Sequence, residues 1–206
     1  MTLKRIFDIA VASSALFVLI PVFLIIALAV KLDSRGAVFY KARRIGRGGG
    51  LFHMYKFRTM RVDADRVGPA LTYKDDPRIT RVGRALRRLR LDELPQLLNV
   101  LVGEMSLVGP RPEAPEYVQL DQQVWRQVLS VQPGICGLAQ LTFAIDEAAL
   151  LRDGATAAEV YLAEILPAKL QLDLRYINTR SLGFDMKLLA QTALMLVRPH
   201  RQASGT

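Results

Sequence analysis

The chain has 206 residues, with 28 lysines and arginines against 19 acids and a formal net charge of +9. It is long enough for one main domain plus an appendage, and its charge favours an anionic partner: nucleic acid, anionic lipid or a phosphorylated small molecule. One cysteine, Cys136, excludes an intramolecular disulfide, and histidines only at His53 and His200 exclude a histidine-rich metal cluster, leaving acids as metal ligands.

The first element is apolar. Ile9 to Val30 is a run of 22 uncharged residues, long enough to cross a bilayer. A cleaved signal peptide competes because Lys4 and Arg5 precede the run, but the apolar part is too long and no small-residue cleavage site leads into a polar start. Pro21 sits near the middle, where it removes a backbone bond and kinks a helix. Basic residues flank both ends: Lys4 and Arg5 before, and Lys31, Arg35, Lys41, Arg43, Arg44 and Arg47 after. Basic flanks stay cytoplasmic, so a segment that enters, breaks at Pro21 and returns satisfies both ends; a kinked straight span is the alternative. The resulting domain organisation is a membrane-inserted segment over 1–35 and a cytoplasmic domain over 36–206.

Val38-Phe39-Tyr40 and Leu51 to Arg58 read as strands of an antiparallel hairpin, joined by a long, flexible loop containing Gly46 and Gly48-Gly49-Gly50. These glycines are not a P-loop, since no Gly-Lys-Ser/Thr follows. Alternation puts Lys56 and Arg58 on one strand face, where two cations can clamp a diphosphate or form an ordinary basic surface. Thr80 is placed to cap a helix running to about Arg90, and a second helix runs through Val102. Between them lies Leu91-Asp92-Glu93-Leu94-Pro95. Asp92 is placed to cap the second helix, although Pro95 would remove one N–H that such a cap binds.

The adjacent acids Asp92 and Glu93 lie beside Arg81, Arg84, Arg87, Arg88 and Arg90. A phosphorylated substrate with Mg²⁺ suits this combination, because the cation binds carboxylate and phosphate oxygens together. The competing reading is a solvated helical face with ion pairs one turn apart. Arg111 lies between Pro110 and Pro112, in a loop with few backbone states, as a fixed cation or part of a rigid turn. Helical spacing of Tyr117, Leu120, Val124 and Val128 predicts a helix after this loop, anchored by Trp125 and ended by Gln132-Pro133-Gly134. Two further helices are expected, from about Thr156 to Ile177 and from Asp185 to Val197. They carry Lys169, Arg175, Lys187 and Arg198 among leucines, and suit either a membrane surface or packing on the core.

Asp76-Pro77-Arg78-Ile79-Thr80-Arg81-Val82-Gly83, Leu91-Asp92-Glu93-Leu94-Pro95-Gln96-Leu97-Leu98-Asn99-Val100-Leu101 and Gly103-Glu104-Met105-Ser106-Leu107-Val108-Gly109-Pro110-Arg111-Pro112 closely resemble the bacterial sugar transferases. These are the monotopic polyprenyl-phosphate glycosyl-1-phosphate transferases. Lys4-Arg5-Ile6-Phe7-Asp8 and Tyr55-Lys56-Phe57-Arg58-Thr59-Met60 extend the resemblance, as do Pro133-Gly134-Ile135 and Asp185-Met186-Lys187, over almost the whole chain. Three positions depart from the pattern: Ile20 replaces a Ser before Pro21, Gln132 an Arg, and Leu138 a Trp. A Gly-Arg pair usual after this region is also absent.

The resemblance implies a predominantly α fold with a small antiparallel β-hairpin, a re-entrant N-terminal membrane helix broken at a proline, and surface amphipathic helices. It implies transfer of a sugar 1-phosphate from a UDP-sugar to undecaprenyl phosphate, releasing UMP, at the cytoplasmic face of the bacterial inner membrane. The step runs through a covalent phosphosugar on Asp92, with Mg²⁺, and starts polysaccharide or glycoconjugate assembly. Asp92 and Glu93 are then the catalytic and metal-binding acids, Glu93 as metal ligand or proton-transfer group; Lys56, Arg58, Arg87 and Arg111 hold the phosphates. Membrane lipids are partners, nucleic acid is not, and homodimerisation is left open. A basic nucleic-acid-binding protein or a non-enzymatic membrane scaffold explains the charge or the apolar segment, but leaves Asp92 and Glu93 without a role.

Overall fold

The computed structural model describes residues 2–67, 71–73, 76–143 and 157–197. Its longest element is α1, Leu3–Asp33, a single helical element that contains Pro21 and begins at the cap Thr2. Thirty-one residues at 1.5 Å rise make it about 46 Å long. It is apolar and long enough to cross a membrane, yet little of it is buried in the protein. Phe17, Val18, Leu24, Ile25 and Leu28 all stand exposed.

Both ends of α1 are tied to the rest of the chain. At the start, Lys4 pairs with Asp185 at 2.6 Å, and Asp8, almost fully buried, accepts from Ser106 Oγ at 2.8 Å. The Arg5 guanidinium donates to the carbonyls of Val100 and Leu101, in the last turn of α4 (Gln96–Val102), satisfying acceptors that a helix end leaves open. At the far end, Asp33 accepts from Val82 N at 3.0 Å, while Arg58 donates to the carbonyls of Ser34 and Arg35.

The hairpin forms as expected, with β1 (Phe39–Ile45) antiparallel to β2 (Leu51–Phe57). Its connection is not a long, flexible loop but a tight turn over Arg47–Gly49, in which Gly48 and Gly49 adopt positive φ. A short helix, α2 (Ala64–Val67), follows. Thr80 caps α3 (Arg81–Arg88), accepting from Gly83 N at 3.0 Å, as its position before the first turn predicts. A second, parallel pair was not anticipated: β3 (Ser106–Val108) beside β4 (Gly134–Cys136). The two strands come close because Gly109 and Gly134 lack side chains; a Cβ at 134 would overlap the Gly109 backbone.

The predicted helix from Tyr117 to Val128 is divided. A 3₁₀ turn over Pro115–Tyr117 gives way to extended backbone at Val118, and α5 covers Gln123–Val128. The division lets Tyr117 and Trp125 enter the same cluster, where Tyr117 lies 5.1 Å from the Tyr161 ring. A short helix, α6 (Leu138–Thr142), follows β4. The long C-terminal helix has its first described turn at α7 (Ala157–Val160), passes through a π-helical turn at Tyr161–Ile165 and continues as α8 (Leu166–Thr179). The last helix is α9 (Leu182–Val197). The expected start at Thr156 and the residue Arg198 lie outside the described residues. Buried Leu166, Tyr176 and Leu188 pack these helices on the core, while Met186 and Leu194 of α9 face out.

Three apolar clusters result among the described residues. One joins Ala12, Met54, Leu97, Val100, Leu107 and Leu188; a second joins Trp125, Tyr161 and Ile165; a third joins Ile26, Val30, Phe57 and Leu86. Leu91 and Leu94 pack on the third cluster and Leu97 in the first, so the Asp92–Glu93 turn is held between two cores.

Candidate active site

Just before the acid turn stands Arg90, the one non-glycine residue with positive φ among the described residues (φ 57°). That left-handed setting is disfavoured for an arginine and is held by the packing of Leu91 and Leu94, which follow it, on the third cluster. Leu91–Glu93 then forms a 3₁₀ turn, and α4 begins only at Gln96, with Pro95 as a cap lacking a side-chain bond. Asp92 therefore does not cap the second helix. The turn instead buries Asp92 and leaves Glu93 partly covered beside it.

Glu93 is fully engaged. Its Oε1 lies 2.7 Å from Arg111 Nη2 and 3.1 Å from Lys56 Nζ, and its Oε2 accepts from Arg111 Nη1 at 3.4 Å. Burial alone would raise its pKa, but the charges of Arg111 and Lys56 hold it well below the usual carboxylate range. Asp92 is the opposite case. Among the described residues its carboxylate accepts no hydrogen bond; burial pushes its pKa up, with Glu93 adding to that and Lys56 and Arg87 opposing it. Two neighbouring acids thus have environments that push them apart. One is an anion locked between cations, and the other is a desolvated carboxylate with free oxygens.

The cations reach the site from three elements. Lys56 comes from β2, whose outer edge is pinned by Asn99: Oδ1 accepts from Tyr55 N at 3.0 Å and Nδ2 donates to His53 O at 2.8 Å. Asn99 is fully buried on α4, so one side chain fixes the distance between the strand and the acid turn. Burial lowers the Lys56 pKa, with Glu93 working the other way. Arg111 comes from the Pro110–Pro112 loop. Arg87, on the last turn of α3, donates from Nε to Thr59 Oγ1 at 2.8 Å and from Nη1 to Thr72 Oγ1 at 3.0 Å. Asp92 is the acid that acts most strongly on it.

Arg58 goes elsewhere. Although Lys56 and Arg58 share strand parity, Arg58 lies just past β2, buried against the end of α1, with its guanidinium on the Ser34 and Arg35 carbonyls. Sequence reasoning also missed Asn99, Thr59 and Thr72. Thr72 carries no charge or spacing signal; Thr59 and Asn99 stand inside motifs of the resemblance without a role attached.

As a Mg²⁺ site, Asp92 rather than the pair suits a metal shared with substrate, because both Glu93 oxygens lie on cations. No group of three or more His, Cys, Asp or Glu side chains gathers among the described residues. Mg²⁺ is ordinarily held by one or two carboxylates together with phosphate oxygens and water, and Asp92 offers free oxygens for this. Beside Glu93 and Arg111 opens a cavity of about 160 Å³, walled by Leu94, Leu97, Ile135, Leu141 and Met195. Cys136 also lines it, and burial pushes its thiol up, away from reactivity.

Buried Asp92 and partly covered Glu93 sit among basic side chains, on a mostly helical domain with one long apolar helix, an arrangement suited to an anionic ligand. The chain belongs to the bacterial sugar transferase family, whose family model matches residues 1–199. It is similar to an undecaprenyl-phosphate glucose phosphotransferase of Komagataeibacter xylinus, 40% identical over 198 residues, covering 92% of this chain and 35% of that protein. It is 42% identical over 205 residues to an exopolysaccharide production protein of Rhizobium leguminosarum bv. phaseoli, covering 94% of each. A UDP-glucose:undecaprenyl-phosphate glucose-1-phosphate transferase of Caulobacter vibrioides is 38% identical over 197 residues, covering 94% of this chain and 69% of that protein.

Proposed function

We propose that the protein transfers a sugar 1-phosphate from a UDP-sugar to undecaprenyl phosphate, releasing UMP, and so begins assembly of an exopolysaccharide or related glycan. The observation that carries this reading is the division of labour between Asp92, buried with free oxygens, and Glu93, held by Lys56 and Arg111. The names of the relatives supply the donor and acceptor classes.

In the first step an Asp92 oxygen attacks the phosphorus that carries the sugar. The bond from that phosphorus to the UMP oxygen breaks, and UMP leaves with the electron pair. In the second, an oxygen of undecaprenyl phosphate attacks the same phosphorus and Asp92 departs as a carboxylate, leaving a lipid diphosphate sugar. Lys56, Arg87 and Arg111 surround the acids and hold the charge that gathers on the phosphoryl oxygens. Glu93 keeps Lys56 and Arg111 in place when no substrate is bound. Mg²⁺, held by Asp92 and the donor's phosphates, would neutralise the diphosphate.

The membrane reading draws on the contacts of α1. Residues near its start bond to α4 and β3, and residues at its end bond to α3 and to Arg58 just past β2, so both ends belong to one globular body. A segment with both ends on one side enters and returns, with the bend at Pro21 and the exposed stripe from Phe17 to Leu28 in lipid. Catalysis then lies at the cytoplasmic face, where the cavity beside Glu93 and Arg111 has the mixed polarity an amphiphilic phosphate requires. The test is UMP release from UDP-glucose and UDP-N-acetylgalactosamine by the detergent-solubilised chain. Release that depends on undecaprenyl phosphate is expected for multiple turnovers, and no release with any UDP-sugar would refute the reading.

A further inference from the structure

Behind Arg111 lies a second set of charges that the transfer steps do not use. Lys169, on α8, is almost fully buried, and its Nζ stands 2.7 Å from Glu113 Oε1. It also donates to the Tyr161 hydroxyl at 2.9 Å and lies 5.0 Å from the centre of that ring. The π-helical turn carries Tyr161 to this position, and its hydroxyl bonds Glu113 in turn. Burial would raise the Glu113 pKa, but Lys169 leads the opposing contacts and keeps it low.

Glu113 is two residues from Arg111 and directly follows Pro112. The loop's backbone is fixed at both ends: Gly109 N donates to Cys136 O at 2.9 Å, Gly134 N to Pro110 O at 2.8 Å, and Ile45 N to Glu113 O at 3.0 Å. Proline at 110 and 112 removes most of the remaining backbone freedom. The direction in which Arg111 leaves the loop is therefore coupled to the setting of Glu113.

We propose that Lys169 is a positioning residue for the transfer: by holding Glu113 it sets the loop so that the Arg111 guanidinium faces Glu93 and the phosphates between them. An isolated buried ion pair is a weak stabiliser, because desolvation offsets its attraction, but a short pair shared with a tyrosine hydroxyl is strongly directional. The arrangement beyond it agrees. Asp173, one helical turn along α8, is buried with Oδ1 lacking a hydrogen-bond partner among the described residues, and burial pushes its pKa up to about 8. Its raised pKa weakens its competition with Glu113 for Lys169.

This inference rests on the transferase reading, and a double-mutant cycle tests it separately. UMP release from UDP-glucose to undecaprenyl phosphate is measured for wild type, Lys169→Met, Arg111→Lys and the double variant, with melting temperatures recorded in the same detergent. Lys169→Met is expected to lower kcat/KM about tenfold in the wild-type background and less than about twofold in the Arg111→Lys background, because the residue it positions has already been altered. The same fold loss in both backgrounds would overturn the proposal, since Lys169 would then act through general stability. If Lys169→Met loses its cooperative melting transition, Glu113→Gln replaces it in the cycle, with the same criterion; it keeps the side-chain shape and the backbone bond to Ile45. A wild-type chain inert toward every UDP-sugar would instead remove the transferase reading, and the proposed role with it.

Discussion

Replacing Arg111 by alanine separates a structural cation from a working one. Arg111 makes two contacts to Glu93, at 2.7 and 3.4 Å, with its side chain 21% exposed and that of Glu93 13%. A charge-assisted hydrogen bond of this kind contributes about 1.5–3 kcal/mol. The lower end applies, because Glu93 keeps Lys56 at 3.1 Å and is not left as an unpaired buried anion. For a chain of this size that is a fall in melting temperature of roughly 3–8 °C. Removing a preorganised donor aimed at developing charge costs about 10²–10³ in rate, so turnover per folded molecule should drop about a hundredfold. Arg111 also helps hold Glu93 low. The stability Glu93 contributes is full above the ordinary carboxylate range and is lost as pH falls through its depressed value, so the variant should lose it at higher pH. UMP release, normalised to the folded fraction from calorimetry, is the assay. A collapse of melting temperature with near wild-type rate per folded molecule would show that Arg111 is a structural part of the loop.

Three further outcomes follow from the same contacts. Asp8→Ala should destabilise the fold by about 2–4 kcal/mol in urea titrations, since it strips the buried Ser106 hydroxyl and Leu107 N–H of their acceptor; a midpoint unchanged from wild type would contradict this. Asp173 binds a proton in the folded chain that the unfolded chain releases above its ordinary value, so wild-type stability should decline as pH rises from about 5 to about 8. Asp173→Asn should flatten that decline in a melting-temperature series, and an unaltered slope would refute the burial argument. Single cysteines at positions 3 and 35, in a Cys136→Ser background, should both be shielded from impermeant reagent added to intact cells and labelled after permeabilisation. Opposite accessibility would make α1 a spanning helix.

The elements that the sequence made legible were those whose signal is local. Thr80 caps the helix it precedes, the hairpin pairs Phe39–Ile45 with Leu51–Phe57, and α4 ends at Val102 before the positive-φ Gly103. What stayed hidden depended on distant partners. Three-residue strands such as Ser106–Val108 and Gly134–Cys136 are too short for alternation to show, and they pair because two glycines let backbones meet. Helical spacing over Tyr117–Val128 was real but yielded to tertiary packing, which placed Tyr117 against Tyr161. At the site, Asp92, Glu93, Lys56 and Arg111 are brought together, with Arg87 close by. Strand parity misdirected the reading of Arg58, because β2 ends at Phe57 and the residue after it turns to α1. The N-terminal Lys4-Arg5-Ile6-Phe7-Asp8 motif proves to be a set of anchors to α9, α4 and β3, which no reading of local periodicity reveals.

The nucleophilic role of Asp92 is the central claim, and mass spectrometry of the intact chain addresses it most directly. Incubated with UDP-glucose and Mg²⁺ but without lipid acceptor, the protein should release at most one UMP per active site and gain the mass of one sugar phosphate, with the modified peptide mapping to Asp92. Asp92→Asn should form no adduct, whereas Glu93→Gln should form it slowly at the same residue. An adduct on another side chain, near wild-type turnover by Asp92→Asn, or transfer that requires donor and lipid together with no adduct at any time would contradict the assignment.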